Sequence, residues 1–260
     1  MQIIGLQLDI VWEDKAANHA KVVNLLEKAK PAPGALVVLP EMFATGFSMD
    51  VAAVHDEART SQDFLAQLAV DHQIYLMGGV VTLDKTGRGR NESVTYSPEG
   101  REVARYCKLH PFSLAGEAEH YVAGESTQVF SCQEFTVAPF ICYDLRFPEI
   151  FRTATTQGAQ LITVIANWPV MREDHWLTLL KARAIENLAY VLGVNRCGHD
   201  PKLYHSGRSV LFDPHGQLLA DAGNEEGWIA AQIDLAPLLK WRETFPALRD
   251  WRRDFVKFTA

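Results

Sequence analysis

The stretch Ala35-Leu36-Val37-Val38-Leu39-Pro40-Glu41 decides the fold class. An apolar run without alternation, closed by Pro40 and Glu41, reads as a short strand covered on both faces, as strands inside an α/β sheet are. Upstream, residues 2–10 alternate as a strand. Residues 15–30 then carry Val22, Val23, Leu26 and Ala29 on one helical face, which Pro31 ends. Downstream, a helix over 57–71 buries Phe64, Leu65 and Leu68, and a strand follows at 74–81. Strand and helix alternate through the first third of the chain.

The middle changes rhythm. Residues 91–97 and 101–108 flank Ser97-Pro98-Glu99-Gly100, a turn sequence, so an antiparallel hairpin is predicted with Lys108 at its far end. Strands fit 127–132 and 135–142, a helix 147–157, an apolar strand 160–166, and a helix 173–189 that buries Trp176, Leu179, Leu180, Ala184 and Leu188. Strands recur at 190–196, 207–213, 217–221 and 228–233, with Asp213-Pro214-His215-Gly216 as a further turn. The pattern is α/β with mixed sheets and helices outside, without linker or repeat.

Composition narrows the function. The 260 residues are 48% hydrophobic and 22% charged, as in globular domains, and the net charge of −7 comes without a basic stripe, so no nucleic-acid partner is expected. The N-terminus has no basic region before its apolar run, and no apolar stretch is long enough for a membrane span. A cytoplasmic protein is expected. Cys107, Cys132, Cys142 and Cys197 lack metal or redox spacing and are expected as free thiols. The nine histidines show no zinc-hydrolase pattern, so no metal and no cofactor is expected.

Three reactive residues stand where strands run out: Glu41, Lys108 and Cys142. Ligands gather outside strand ends in α/β sheets, so the three could converge. A thiol needs a base, a buried carboxylate can take and return a proton, and an ammonium lowers a thiol pKa and stabilises an oxyanion. Taken singly, each has a plainer reading: a core cysteine, a solvated lysine, and a carboxylate at a helix start.

The text around them changes that balance. Leu39-Pro40-Glu41-Met42-Phe43, Tyr106-Cys107-Lys108-Leu109-His110 and Cys142-Tyr143-Asp144-Leu145-Arg146-Phe147-Pro148-Glu149 resemble, in order and spacing, the three catalytic motifs of the nitrilase superfamily, the carbon-nitrogen hydrolases. The resemblance runs on through Ala166-Asn167-Trp168-Pro169, residues 181–187 and Ser206-Gly207-Arg208-Ser209, and is greatest to the omega-amidase branch. It implies a four-layer α-β-β-α sandwich, a single carbon-nitrogen hydrolase domain over 1–260, and a homodimer or higher oligomer. Residues 241–260, rich in Trp, Phe and Arg, are expected as a C-terminal tail packing on the domain or on a partner subunit.

The resemblance also implies roles. Glu41 would be the general base, Lys108 the oxyanion partner, Cys142 the nucleophile and the Tyr143 backbone N–H a second oxyanion donor. The family's further glutamate would be Glu117, with Glu119 as the fallback. The implied substrate is a small ω-amide of a dicarboxylic acid such as 2-oxoglutaramate or 2-oxosuccinamate.

Arg146 could grip the substrate carboxylate as a bidentate fork, or could pair with Glu149 or Glu186 instead. Phe43, Phe47 and Trp168 could wall a small pocket. Pro139, inside the strand that leads to the nucleophile, suggests a bulge or an unpaired N–H. The alternatives are a nitrile or N-carbamoyl hydrolase with the same triad, an isochorismatase-like hydrolase using Asp9, and an inactive binding protein.

Overall fold

The computed structural model describes residues 1–252. The apolar run at 35–39 forms β2 (Leu36–Val38), with β1 (Gln2–Gln7) and β3 (Tyr75–Leu83) parallel on its two sides. The sheet is extended by antiparallel β4 (Gly89–Tyr96) and β5 (Glu102–Cys107) on one edge and β14 (Gly227–Gln232) on the other. A second six-stranded sheet has the order β13 (Leu218–Asp221), β12 (Val210–Phe212), β9 (Tyr190–Asn195), β8 (Leu161–Ala166), β7 (Phe135–Ile141), β6 (Phe130–Cys132). Its three central strands are again parallel. A small hairpin, β10 (Cys197–His199) with β11 (Tyr204–Ser206), stands apart from both.

Each sheet is covered outside by helices. Helices α1 (Lys15–Ala29) and α3 (Thr60–His72) pack Val22, Leu25, Leu65 and Leu68 onto the first sheet. Helices α5 (Pro148–Thr156) and α6 (Glu173–Asn187) pack Phe151, Ala154, Trp176 and Leu180 onto the second. Between the sheets, Ile3, Leu36, Val38 and Met77 meet Val137, Leu161, Thr163 and Ile165, with the Thr163 hydroxyl on Met77 Sδ, giving the layer order helix, sheet, sheet, helix. Apolar side chains of this kind each contribute about 1.5–3 kcal/mol by leaving water. One-turn helices α2 (Val51–Val54) and α4 (Glu117–His120) lie in connecting loops. Helix α7 (Leu235–Thr244) closes the described chain, capped at its start by Asp234. Among the described residues no helix is long and apolar enough to cross a membrane.

Pro139 makes no bulge. Strand β7 keeps register with β8 straight through it, Pro139 opposite Thr163. N–H groups alternate sides along a strand, so residue 139 faces the same way as Ile141, whose N–H leaves the ladder for the Asp144 carboxylate. Strand β6 has already ended opposite Val137. Proline therefore occupies a position where no neighbouring strand asks for a donor.

In the C-terminal stretch, the Arg242 guanidinium donates to the carbonyls of Ala159, Asn187 and Leu188, and the Trp241 ring stacks on Phe245 and meets His215. Residues 253–260 of the expected tail lie outside the described residues.

Candidate active site

Glu41 leaves the end of β2 in a tight turn that presses against β3. A Cβ on Gly79 would lie 2.4 Å from Met42 N and 2.6 Å from Glu41 Cα, so only glycine admits the turn. Glu41 is fully buried, and every contact of its carboxylate is with a donor. Oε1 accepts from Asn91 Nδ2 at 2.7 Å and Lys108 Nζ at 3.0 Å, and Oε2 accepts from the Asn167 N–H at 2.9 Å. Asn167 Nδ2 also donates to the Glu41 carbonyl at 2.7 Å, fixing backbone and side chain together.

Lys108 follows β5 directly. Its N–H donates to Asn91 O, and its carbonyl accepts from the Gly124 N–H at 2.8 Å. Here too a side chain would not fit: a Cβ on Gly124 would sit 2.3 Å from Cys107 O. The buried ammonium lies between two carboxylates, 3.0 Å from Glu41 and 2.8 Å from Glu117. Burial works against its charge, but Glu117 and Glu41 outweigh burial and hold its pKa above the ordinary lysine value. Glu117 is fully buried, and it also accepts from Asn91 Nδ2 at 2.9 Å and from the Phe112 N–H at 2.5 Å. Glu119 points to solvent, so of the two candidates only Glu117 joins the cluster.

Cys142 opens a 3₁₀ turn, Cys142–Arg146, at the end of β7 with φ 48°. A non-glycine residue in the left-handed region costs about 1–3 kcal/mol and must be held there. Asp144, also buried, does the holding. It accepts from the Ile141 N–H, the Tyr106 hydroxyl at 2.7 Å, and the His110 N–H and Nδ1 at 3.0 and 2.9 Å. Arg183 adds a bond from Nη2 to Leu145 O at 2.7 Å.

Burial raises the Cys142 thiol pKa well above that of a free cysteine, the Glu41 carboxylate raises it further, and Lys108 opposes both. The expected lowering by the ammonium is therefore present but outweighed, because the thiol is desolvated beside a negative charge. A thiol in this state needs a base at the moment of attack.

Cys142 forms part of the wall of a cavity of about 410 Å³ that is also lined by Phe47, Tyr143, Arg146, Trp168 and Arg172. Phe43 does not reach it. The chain turns after Glu41 and sends that ring, fully buried, into the core beside His19 and Phe64. Phe47 takes the place instead, with Lys108 Nζ 5.0 Å from its ring centroid. Arg146 pairs with neither expected glutamate. Its guanidinium stands 5.0 Å from the Trp168 ring centre and 3.2 Å from His175 Nδ1, while Glu186 is taken by Arg183. Asp9 is half exposed and lies near Arg196, outside this cavity, which removes the Asp9-based alternative.

A family model described as carbon-nitrogen hydrolase matches residues 5–243. The chain belongs to the carbon-nitrogen hydrolase family. Among its relatives, omega-amidase YafV of Yersinia enterocolitica is 39% identical over 96% of each chain, and the 2-oxoglutaramate amidase of Bacillus subtilis is 36% identical over 96% of each. A solved CN-hydrolase superfamily protein of Xanthomonas campestris, with an arsenic adduct in its active site, superposes with a TM-score of 0.91 at 30% identity, covering 100% of this chain and 98% of that one. As a carbon-nitrogen hydrolase related to omega-amidases, this chain is a hydrolase of amide C–N bonds.

Four residues of this carbon-nitrogen hydrolase site carry no role in the sequence reading: Asn91, Asn167, Asp144 and Arg183. Asn91 had a detectable signal, since asparagine is disfavoured inside a strand and here sits within β4, paired with Val81 of β3. The other three lie within the motifs already quoted, where neighbours in sequence do not reveal which atoms they grip.

Proposed function

We propose that the protein is a thiol amidase that removes the terminal amide of small ω-amido dicarboxylates of the 2-oxoglutaramate or 2-oxosuccinamate type. The observation that carries this is Lys108 Nζ held between Glu41 and Glu117, with Cys142 and Arg146 both in the wall of the adjoining cavity.

In this reading Glu41 takes the Cys142 thiol proton as sulfur attacks the amide carbon. Lys108 and the Tyr143 N–H, at the start of a helical turn where donors are left over, stabilise the oxyanion. The tetrahedral intermediate collapses, the C–N bond breaks, and Glu41 gives its proton to the departing ammonia. Water then attacks the thioester, losing a proton to Glu41, and the acid leaves as the thiol is reprotonated. Glu117 keeps the Lys108 ammonium in place through both halves. Arg146 and Trp168 bind the substrate, Arg146 through its carboxylate. The reading takes residues 1–260 as one carbon-nitrogen hydrolase domain, working in the cytoplasm as a homodimer or larger homo-oligomer.

Ammonia release is measured for 2-oxoglutaramate, 2-oxosuccinamate, aliphatic nitriles and N-carbamoyl amino acids. The ω-amides should be turned over with the highest kcat/KM. Preference for nitriles or carbamoyl compounds would refute the substrate class, and no release from any of them would refute the enzyme reading.

A further inference from the structure

Several partly buried arginines of this protein have their charge answered or their donors spent on carbonyls, while Arg152, outside the cavity, has Glu186 only as a more distant charge. Arg183 meets Glu186, Arg208 meets Glu173 and Asp221, Arg105 meets Glu92 and Glu102, and Arg242 donates to three carbonyls. Two arginines that line the cavity differ. Arg146 and Arg172 have no carboxylate within salt-bridge distance among the described residues.

Both guanidiniums rest on aromatic rings. Arg146 stands over Trp168, and Arg172 lies 5.5 Å from the ring centroid of Phe112 on another part of the wall. The two supports are tied to the site. Trp168 Nε1 donates to Arg172 O at 2.7 Å, which anchors the 3₁₀ turn Val170–Arg172, and the Phe112 N–H donates to Glu117.

The rest of the rim does not neutralise them. Lys202 adds a third cation. Asp200, the acidic side chain among the lining residues, is held by His205 Nε2 at 2.9 Å and by the N–H groups of Lys202 and Leu203 at 2.7 Å each, and its single charge leaves the three cations in excess. A cavity with uncompensated positive charge binds an anion and repels an ammonium group, and planar guanidiniums held on rings have already lost part of the freedom that binding would cost.

We propose that Arg172 is a second substrate-binding cation. Together with Arg146 it makes the site select ω-amides whose far end is a carboxylate beside an uncharged group, a 2-oxo acid, and reject the corresponding 2-amino acid amide. This rests on the substrate reading above. One guanidinium takes the carboxylate while the other faces the 2-oxo oxygen, and an α-ammonium in that position would meet two cations.

The test compares kcat and KM for 2-oxoglutaramate, L-glutamine and the neutral amide pentanamide in the wild-type protein and in Arg172→Gln and Arg172→Glu. In Arg172→Gln, kcat/KM for 2-oxoglutaramate should fall by about 10-fold or more relative to that for pentanamide, through KM. Arg172→Glu should lose more and should narrow the gap between 2-oxoglutaramate and L-glutamine. Pentanamide turnover reports folding and the triad, so a general loss of structure would lower both substrates alike. Equal factors on the charged and neutral amides, or an unchanged preference over glutamine, would overturn the proposal. If the wild-type enzyme itself prefers pentanamide to 2-oxoglutaramate, the substrate reading fails first, an outcome distinct from a wild-type preference that Arg172 does not control.

Discussion

Lys108 Nζ lies closer to Glu117 Oε2, at 2.8 Å, than to Glu41 Oε1, at 3.0 Å. In the proposed mechanism Glu117 fixes the ammonium and Glu41 moves the proton. Glu117→Gln removes one of the two charges that sustain buried Lys108. Ammonia release should fall about 100-fold or more. Denaturant unfolding should show a loss of about 1–3 kcal/mol, since a buried charge keeps only one partner. Glu119→Gln, on the exposed side of the same short helix, should stay within about twofold of wild type.

The raised Cys142 pKa has a direct pH signature. With the thiol protonated near neutrality, iodoacetamide labelling of Cys142 should be slow at pH 7 and climb as pH rises past the ordinary cysteine range. Glu41→Gln removes a charge that raises the thiol while leaving Lys108, which lowers it. The labelling curve should therefore move to lower pH even as hydrolysis drops about 10²–10⁴-fold. Cys107, Cys132 and Cys197 are buried and do not line the cavity that reaches Cys142, so they should label later. Mass spectrometry of the intact and digested protein reads both effects, and an unshifted curve in Glu41→Gln would contradict the electrostatics.

Most of the architecture was legible because burial on both faces leaves apolar runs such as 35–39 and 160–166, and one-sided burial leaves helical spacing such as Trp176, Leu180, Ala184. The β10–β11 hairpin left no such trace, its strands being three residues each. Helix α7 was missed although Asp234 caps it and Pro237 falls in its first turn, where proline is tolerated. The meeting of Glu41 and Lys108, and the place of Cys142 at a strand end, were legible from their local text. Phe43 was misplaced because proximity to Glu41 along the chain says nothing about direction once the backbone turns at Met42, φ 45°.

Gly79 tests how closely that turn is built. In Gly79→Ala the new methyl would press on Met42 N and Glu41 Cα, backbone atoms that cannot swing aside as a side chain would. A destabilisation of about 1–3 kcal/mol is expected, together with a fall in kcat as Glu41 is displaced. Gly227→Ala is the control, with nothing within 4 Å of the added carbon and no left-handed φ, and should change stability by less than about 0.5 kcal/mol.

Asp144 joins the two chain segments that carry the ammonium and the thiol. Its oxygens accept from Tyr106 and His110, which bracket Lys108, and from Ile141, which precedes Cys142. Replacing it by alanine leaves the Tyr106 hydroxyl and the Ile141 N–H buried without an acceptor, at about 1–3 kcal/mol for each group. The left-handed φ of Cys142 also loses its clamp. Asp144→Asn keeps one acceptor oxygen but turns an NH₂ toward donors, so it should recover only part of the stability. If Asp144 acts by positioning, both variants should lower kcat more than they raise KM, and the pH dependence of Cys142 labelling should shift with them. Full activity in a folded Asp144→Ala protein would show that the thiol keeps its place without the clamp.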